Sequence, residues 1–285
     1  MSKRFNKKQL VERFERIIFP EYEDVIFRKS NHYYYTLEVS RYKFLPLVLL
    51  DHHKYTETSH SFQPKFPILY YGAQYDTVTV KSNGEILIGK GQNPLIVGRK
   101  ITAFNGISEP IDMEILNSER LISIGWVNLR TSMSNTQEFS NNRAKVYCYI
   151  FSNGKITIFY ENIPIEMEDK LGDLSISDGF KYNQMNEVPK GLVYSRIQIP
   201  TSMVKSGTLV ELMPTKEFCS NKPTRKNCTS ASTPRTRCYW CESIGQCSNG
   251  YDIHTGIWMQ NGCRNIHNFR KKKDVPMELN FYPSS

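Results

Sequence analysis

The sequence predicts a mainly β fold: an antiparallel β-sandwich followed by a small disulfide-rich module. Three observations carry this. Aromatic residues make up 12% of the 285 residues, and 17 residues are Tyr, a side chain favoured on pleated, half-buried surfaces. Two Asn-Gly pairs, at 83–84 and 153–154, each lie between short runs rich in β-branched and aromatic residues, the strongest short-range hairpin signal. Six of the seven cysteines fall between Cys219 and Cys263, a density that marks a disulfide scaffold. Such segregation implies a large domain stabilised by its core and a small one stabilised by covalent staples.

In chain order, residues 1–50 read as an N-terminal helix and a leading strand. Leu10, Val11, Phe14, Ile17 and Ile18 recur at helical spacing among Lys and Arg, and Pro20 ends the pattern. The basic start lacks the apolar stretch of a signal peptide, so a docking helix is expected, with a membrane-surface helix as the lesser reading. Tyr33-Tyr34-Tyr35, Leu37 and Val39 begin the leading strand. Residues 51–213 are assigned to the sandwich. Its strands are expected at Lys65–Tyr71, closed by Gly72, at Asp76–Val80 and Glu85–Ile88, and at Leu121–Leu129. Further strands are expected at Val146–Phe151, Lys155–Tyr160, Leu192–Ile199 and Thr208–Met213, before Pro214. Each Asn-Gly pair is expected to form a type I′ turn. Seven or more short strands without strand–helix–strand alternation favour an antiparallel sandwich over a parallel sheet. Residues 219–263 form the cysteine-rich module, and 264–285 a basic, mobile tail.

Charge and motifs narrow the function classes. The net charge is +9, but residues 17–218 carry 21 basic and 22 acidic side chains, so the excess lies at the two ends. A nucleic-acid-binding body would carry a basic face, and nucleic acid is therefore not expected as a partner. The basic ends, chiefly Arg270-Lys271-Lys272-Lys273, are candidates for salt-sensitive contact with polyanions such as sulfated glycans. The longest apolar run, Phe44 to Leu50, has seven residues and contains Pro46; a membrane-spanning helix needs about 20. Neither a Gly-x-Ser-x-Gly nucleophile motif nor a phosphate-binding glycine loop is present. His52, His53, Glu57 and His60 resemble a metal set only superficially, because adjacent histidines on a strand point to opposite faces. No catalytic residue and no cofactor are expected.

The cysteine cluster admits two readings. Cys238-x-x-Cys241 with Cys247 and Cys263, and His254 or His267 in reserve, could bind zinc. No second Cys-x-x-Cys follows, however, and the even count in a segment poor in aliphatics favours three disulfides. Six cysteines permit about 15 pairings. Asn227-Cys228-Thr229 is a glycosylation sequon, with Asn227 the candidate acceptor. Cys148 stands apart and is expected to be a buried free thiol, because it alternates with Tyr147 and Tyr149.

The stretch Arg237-Cys-Tyr-Trp-Cys241-Glu-Ser-Ile-Gly-Gln-Cys247-Ser-Asn-Gly-Tyr-Asp252, continuing to Trp258-Met-Gln-Asn-Gly-Cys263, resembles a plexin–semaphorin–integrin (PSI) module. More closely, it is similar to the plexin domain-containing proteins, including the divergent branch of egg-secreted proteins of parasitic flukes. Upstream, Phe66-Pro67 with Tyr70-Tyr71-Gly72, the hairpin Tyr149–Pro164, Ser177-Asp178-Gly179-Phe180 and Arg196-Ile197 resemble that family's nidogen-like domain. The resemblance spans residues 65–263 and implies a non-enzymatic, secreted or cell-surface glycoprotein that binds an extracellular protein or matrix ligand. It implies the pairs Cys219–Cys238, Cys228–Cys247 and Cys241–Cys263, with Trp240 and Trp258 packed against them as the module's core. Family modules usually carry more cysteines, and one of a close pair near Cys228 is missing here. A secreted chain would need a leader upstream of Met1. The rival readings are an intracellular zinc-containing adaptor and, behind it, a β-sandwich hydrolase.

Overall fold

The structure, a computed structural model, describes residues 24–29, 34–41, 52–89, 98–105, 112–129, 143–168, 170–182, 190–215, 218–233 and 236–263. The expected helix over 1–19 and the tail 264–285, with Arg270–Lys273, lie outside the described residues.

Eighteen strands are described, and most of them fall into two antiparallel sheets. The larger sheet has eight strands: β1 (Asp24–Lys29), β2 (Tyr35–Arg41), β3 (His53–Tyr55), β10 (Asp112–Asn117), β11 (Leu121–Leu129), β12 (Ala144–Phe151), β13 (Ile156–Asn162) and β16 (Thr208–Pro214). Their spatial order is β1-β2-β16-β13-β12-β11-β10-β3. The smaller sheet has six strands: β4 (Ser59–Phe62), β7 (Val78–Lys81), β8 (Glu85–Ile88), β9 (Lys100–Thr102), β14 (Leu174–Tyr182) and β15 (Lys190–Ile199). Its order is β15-β14-β9-β8-β7-β4. The leading strand β2 lies between β1 and β16, paired with β16 from Arg41↔Thr208 to Tyr35↔Pro214. The sandwich therefore draws on chain upstream of residue 51. Pro67, which cannot donate to a ladder, falls within the strand expected over 65–71, and β5 (Ile68–Tyr70) starts only after it and is correspondingly short.

The two sheets share one core. Ile115, Ile124, Cys148, Ile158, Val210 and Val39 form one register row across the large sheet and are buried in the same cluster as Val80, Ile86, Ile101 and Ile176 of the smaller sheet. Two polar ties cross the gap: the Trp126 indole donates to the Lys81 carbonyl at 2.9 Å, and the Tyr160 hydroxyl to the Ala103 carbonyl at 2.8 Å. Both polar tips are thus satisfied inside an apolar layer. Cys148 is a buried free thiol on this inner face, and burial pushes its pKa far up. Tyr147 and Tyr149 face the other way, into a separate cluster.

The Asn-Gly hairpins form where expected, but not as type I′ turns. Gly84 and Gly154 have φ of +86° and +85°, whereas Asn83 and Asn153 are not among the residues with positive φ. A serine precedes each pair, so each loop has three residues. Gly84 N–H donates to the Lys81 carbonyl and Gly154 N–H to the Phe151 carbonyl. This is a type I turn ending in a left-handed glycine. The Asn side chains accept from the amides of Glu85 and Lys155. A Cβ at Gly84 would lie 2.6 Å from the Phe104 carbonyl oxygen, so the position excludes other residues on two counts. The both-positive pattern of a type I′ turn occurs instead at Tyr71 (φ 50°) and Gly72 (φ 79°), between β5 and β6 (Ala73–Tyr75).

Candidate functional site

The C-terminal module is built from short pieces. It contains helix α2 (Arg225–Ser230), strands β17 (Tyr239–Cys241) and β18 (Gln246–Ser248), and helix α3 (Thr255–Gln260); the remaining described helix, α1 (Ile165–Glu168), belongs to the sandwich. None of these pieces is long enough to be stable alone. Disulfides join Cys219 to Cys238, Cys228 to Cys247 and Cys241 to Cys263, the pairs that the resemblance implies. Cys219, Cys228, Cys238 and Cys247 form one buried cluster, and Trp240 packs against it. Trp258 is buried on α3 but is not a member of that cluster.

The segment Ser248–Thr255 owes its shape to one buried carboxylate. Asp252 accepts from the Ser248 hydroxyl (2.7 Å), the Asn249 amide (3.1 Å) and the His254 amide (3.0 Å), while its own amide donates to Thr255 Oγ1 (2.7 Å). Burial pushes the Asp252 pKa up, and these hydrogen bonds oppose the shift. His254 Nδ1 lies 2.8 Å from the Cys247 carbonyl, so that nitrogen carries the proton. The Cys-Ser-Asn-Gly-Tyr-Asp stretch is therefore a turn stabilised by its own side chains. Asn227 lies exposed on α2, whose N-cap is Thr224. Arg225 on the same helix pairs with Glu242 at 2.6 Å.

The module is docked on the sandwich. The Phe218 ring stacks on Tyr34 at 5.2 Å and lies against Gly72, where a Cβ would come within 3.2 Å of the ring. The Tyr34 hydroxyl donates to the Tyr251 carbonyl at 3.4 Å, and Ile253 packs on the sandwich core. Beneath this contact Tyr34, Tyr35, Tyr70, Tyr71 and Tyr194 form a buried aromatic group. Its hydroxyls are used internally. Tyr70 donates to the carbonyls of Lys100 (2.8 Å) and Ser177 (2.9 Å), and Tyr71 to that of Ile176 (3.2 Å). Burial raises the pKa of Tyr35, Tyr70, Tyr71 and Tyr194.

At the edge of the group Asp178 is fully buried on β14. It accepts from Arg99 Nε at 2.9 Å, from the Gly179 amide at 2.9 Å and from the Tyr194 hydroxyl. The Arg99 guanidinium lies 4.2 Å over the Tyr75 ring. Burial raises the Asp178 pKa, and Arg99 works against it. The pairing spans 79 residues, and reading the sequence did not find it. A signal existed: Leu174, Ile176 and Asp178 alternate, which places the carboxylate on the buried face.

The histidines go to separate partners. His60 Nδ1 lies 2.9 Å from Glu57, and His52 Nε2 lies 3.1 Å from Ser123 Oγ. Among the described residues, no group of three or more His, Cys, Asp or Glu side chains is arranged to hold a metal. Together these features define a mainly β protein whose disulfide-stapled C-terminal module is fixed on a sandwich through aromatic contacts. No protein-family model matches the chain, and no solved structure matches it. No described helix is long and apolar enough to cross a membrane.

Proposed function

We propose that this chain is a non-enzymatic, secreted or cell-surface binding protein of the plexin domain-containing type, possessing a nidogen-like sandwich and a PSI module, and recognising an extracellular protein or matrix ligand. The three disulfides carry this reading, because such bonds persist in oxidising compartments and are rare in the cytosol. The zinc-adaptor alternative needs the thiolates that these bonds consume. The docked module supports a rigid recognition body, since binding by a preformed surface avoids an ordering cost. Asn227 is exposed and so open to glycosylation. Polyanion contact through Arg270–Lys273 is supported by their charge, and Lys226 and Arg237 add exposed basic groups on the module itself.

The test begins with thiol titration of the denatured, unreduced protein, beside a metal assay. One titratable thiol, from Cys148, is expected. Seven thiols with bound zinc would overturn the extracellular reading. Saturable binding to decellularised matrix or intact cell surfaces, lost on reduction of the bridges, is expected next; absence of saturable binding to both would remove the recognition role. Deleting residues 264–285 is expected to abolish retention on heparin, and unchanged retention would reject the glycan contact.

A further inference from the structure

Asn227 heads the only Asn-x-Ser/Thr sequence of the chain, and the residue between acceptor and threonine is Cys228. Exposure of Asn227 gives a glycan room on the folded module. Attaching one asks more of the backbone. The sequon itself shows that the transferring enzyme reads two groups at once, the Asn carboxamide and the hydroxyl two residues on. In an extended chain residues i and i+2 lie on the same face. On an α-helix two steps turn the side chain through about 200°, so such residues do not face one another.

The structure places the whole sequon on α2. The Asn227 amide donates to Thr224 Oγ1 at 3.3 Å, and the Asn227 carbonyl accepts from the Ala231 amide at 3.2 Å and the Ser230 hydroxyl at 3.1 Å. The Thr229 hydroxyl donates to the carbonyls of Arg225 and Lys226, each at 3.1 Å. The backbone of the acceptor and the hydroxyl of the sequon are thus committed to the helix. Between them Cys228 has no exposed surface and is joined to Cys247 of β18, inside the cluster that also holds Cys219 and Cys238. Straightening residues 227–229 would draw Cys228 out of that cluster.

A helix of six residues does not persist by itself. Before Cys228 finds Cys247 the segment is free to extend; afterwards the bridge holds its middle residue down. Cys247 follows Cys228 by 19 residues, which take about 1–4 s to synthesise. The acceptor is therefore complete before its lock exists.

We infer that a glycan is attached to Asn227 only while this segment is extended, and that closure of the Cys228–Cys247 bridge ends the acceptor's availability. In the transfer, Asn227 Nδ2 attacks the anomeric carbon of an oligosaccharide carried on a lipid pyrophosphate. The new C–N bond replaces the sugar–phosphate C–O bond, the lipid pyrophosphate leaves, and Nδ2 gives up one proton. The inference rests on the extracellular reading above, and it makes the glycan and the bridge successive events in one fixed order.

The test uses the full-length chain made without membranes, hence unglycosylated, and then oxidised to its three bridges. It is incubated with purified oligosaccharyltransferase and a lipid-pyrophosphate oligosaccharide, and the mass of the Asn227 peptide is followed. The same chain kept reduced is expected to be modified at least about 10-fold faster, because only the opened fraction of the folded form is competent. Equal rates, or no transfer to the reduced chain, would overturn the inference. Two variants separate this bridge from folding in general. Cys247→Ala, which leaves the sequon intact, is expected to accept the glycan under oxidising conditions. Cys241→Ser with Cys263→Ser, which keeps the Cys228–Cys247 bridge, is expected to remain refractory; modification as rapid as that of Cys247→Ala would overturn the assignment. The assay is run outside the cell, so its failure rejects the order of events alone, whereas seven titratable thiols would reject the extracellular reading.

Discussion

In the sandwich, Trp126, Tyr160 and Ile158 have no exposed surface and lie among side chains from two sheets. In residues 218–263 the main buried apolar cluster is four cysteines with Trp240 at its margin. The first region stays folded because its chain buries a continuous apolar layer; the second is too small to do so and relies on bridges that restrict its unfolded state. The regions also differ in where their polar groups find partners. Asp178 reaches a guanidinium 79 residues away, whereas Asp252 is satisfied within Ser248–Thr255. A large core can bring distant residues together, while a small module has to satisfy its buried charge locally. Phe218 joins the two regimes by leaving the module and packing into the sandwich core.

The largest expected break in this comparison is Asp178→Ala, which leaves Arg99 without its buried partner. A loss of about 3–5 kcal/mol is expected, the scale for an orphaned buried charge, read as a fall in the sandwich's denaturation midpoint with the three bridges intact. A loss under about 1 kcal/mol would mean that Arg99 finds water instead.

The complementary break is Cys241→Ser with Cys263→Ser. Opening that loop should cost the module about 3 kcal/mol. Amides of residues 236–263 should then lose exchange protection while strands β7–β13 keep theirs. Simultaneous loss in both regions would show that the module, although stapled, holds the sandwich together.

Phe218→Ala sharpens the boundary. Removing the ring from Tyr34 and Gly72 should cost about 3 kcal/mol, the low end for truncating a buried Phe, and separate a single thermal transition into two. Retention of one transition would place the coupling elsewhere, on Tyr34–Tyr251 and Ile253.

The smallest effect concerns acid stability. Glu85 is partly buried, which raises its pKa, but hydrogen bonds from Lys100 (2.5 Å) and Lys81 (3.0 Å) outweigh this and hold it down at about 2. A carboxylate depressed in the folded state stabilises fully above its usual range, and that contribution disappears as pH falls through the folded value. Wild-type stability should therefore decline between the usual glutamate range and pH of about 2. Glu85→Gln should flatten that decline and cost about 1 kcal/mol at neutral pH. An unchanged acid profile would remove Glu85 from the account.

Local chemistry was legible in the sequence. Alternation placed Cys148 on the face opposite Tyr147 and Tyr149, and Asn-Gly located both hairpins. The type of turn was not legible from the Asn-Gly pair alone, because the serine before it lengthens the loop by one residue. The cysteine density announced a stapled module, and its pairing came from resemblance, since spacing leaves every connectivity open.

By itself, then, the sequence determined the class of fold, the division between a cored and a stapled region, and the face on which many strand residues lie. These follow from a period of two and from turn preferences, which act within a few residues. Only the tertiary structure decided that β2 lies between β1 and β16, that Asp178 meets Arg99, and that Phe218 fixes the module on the tyrosine group. Such choices depend on which strands are neighbours and in what register. That is a property of the whole packed core, where many weak contacts are satisfied together, and no single segment encodes it.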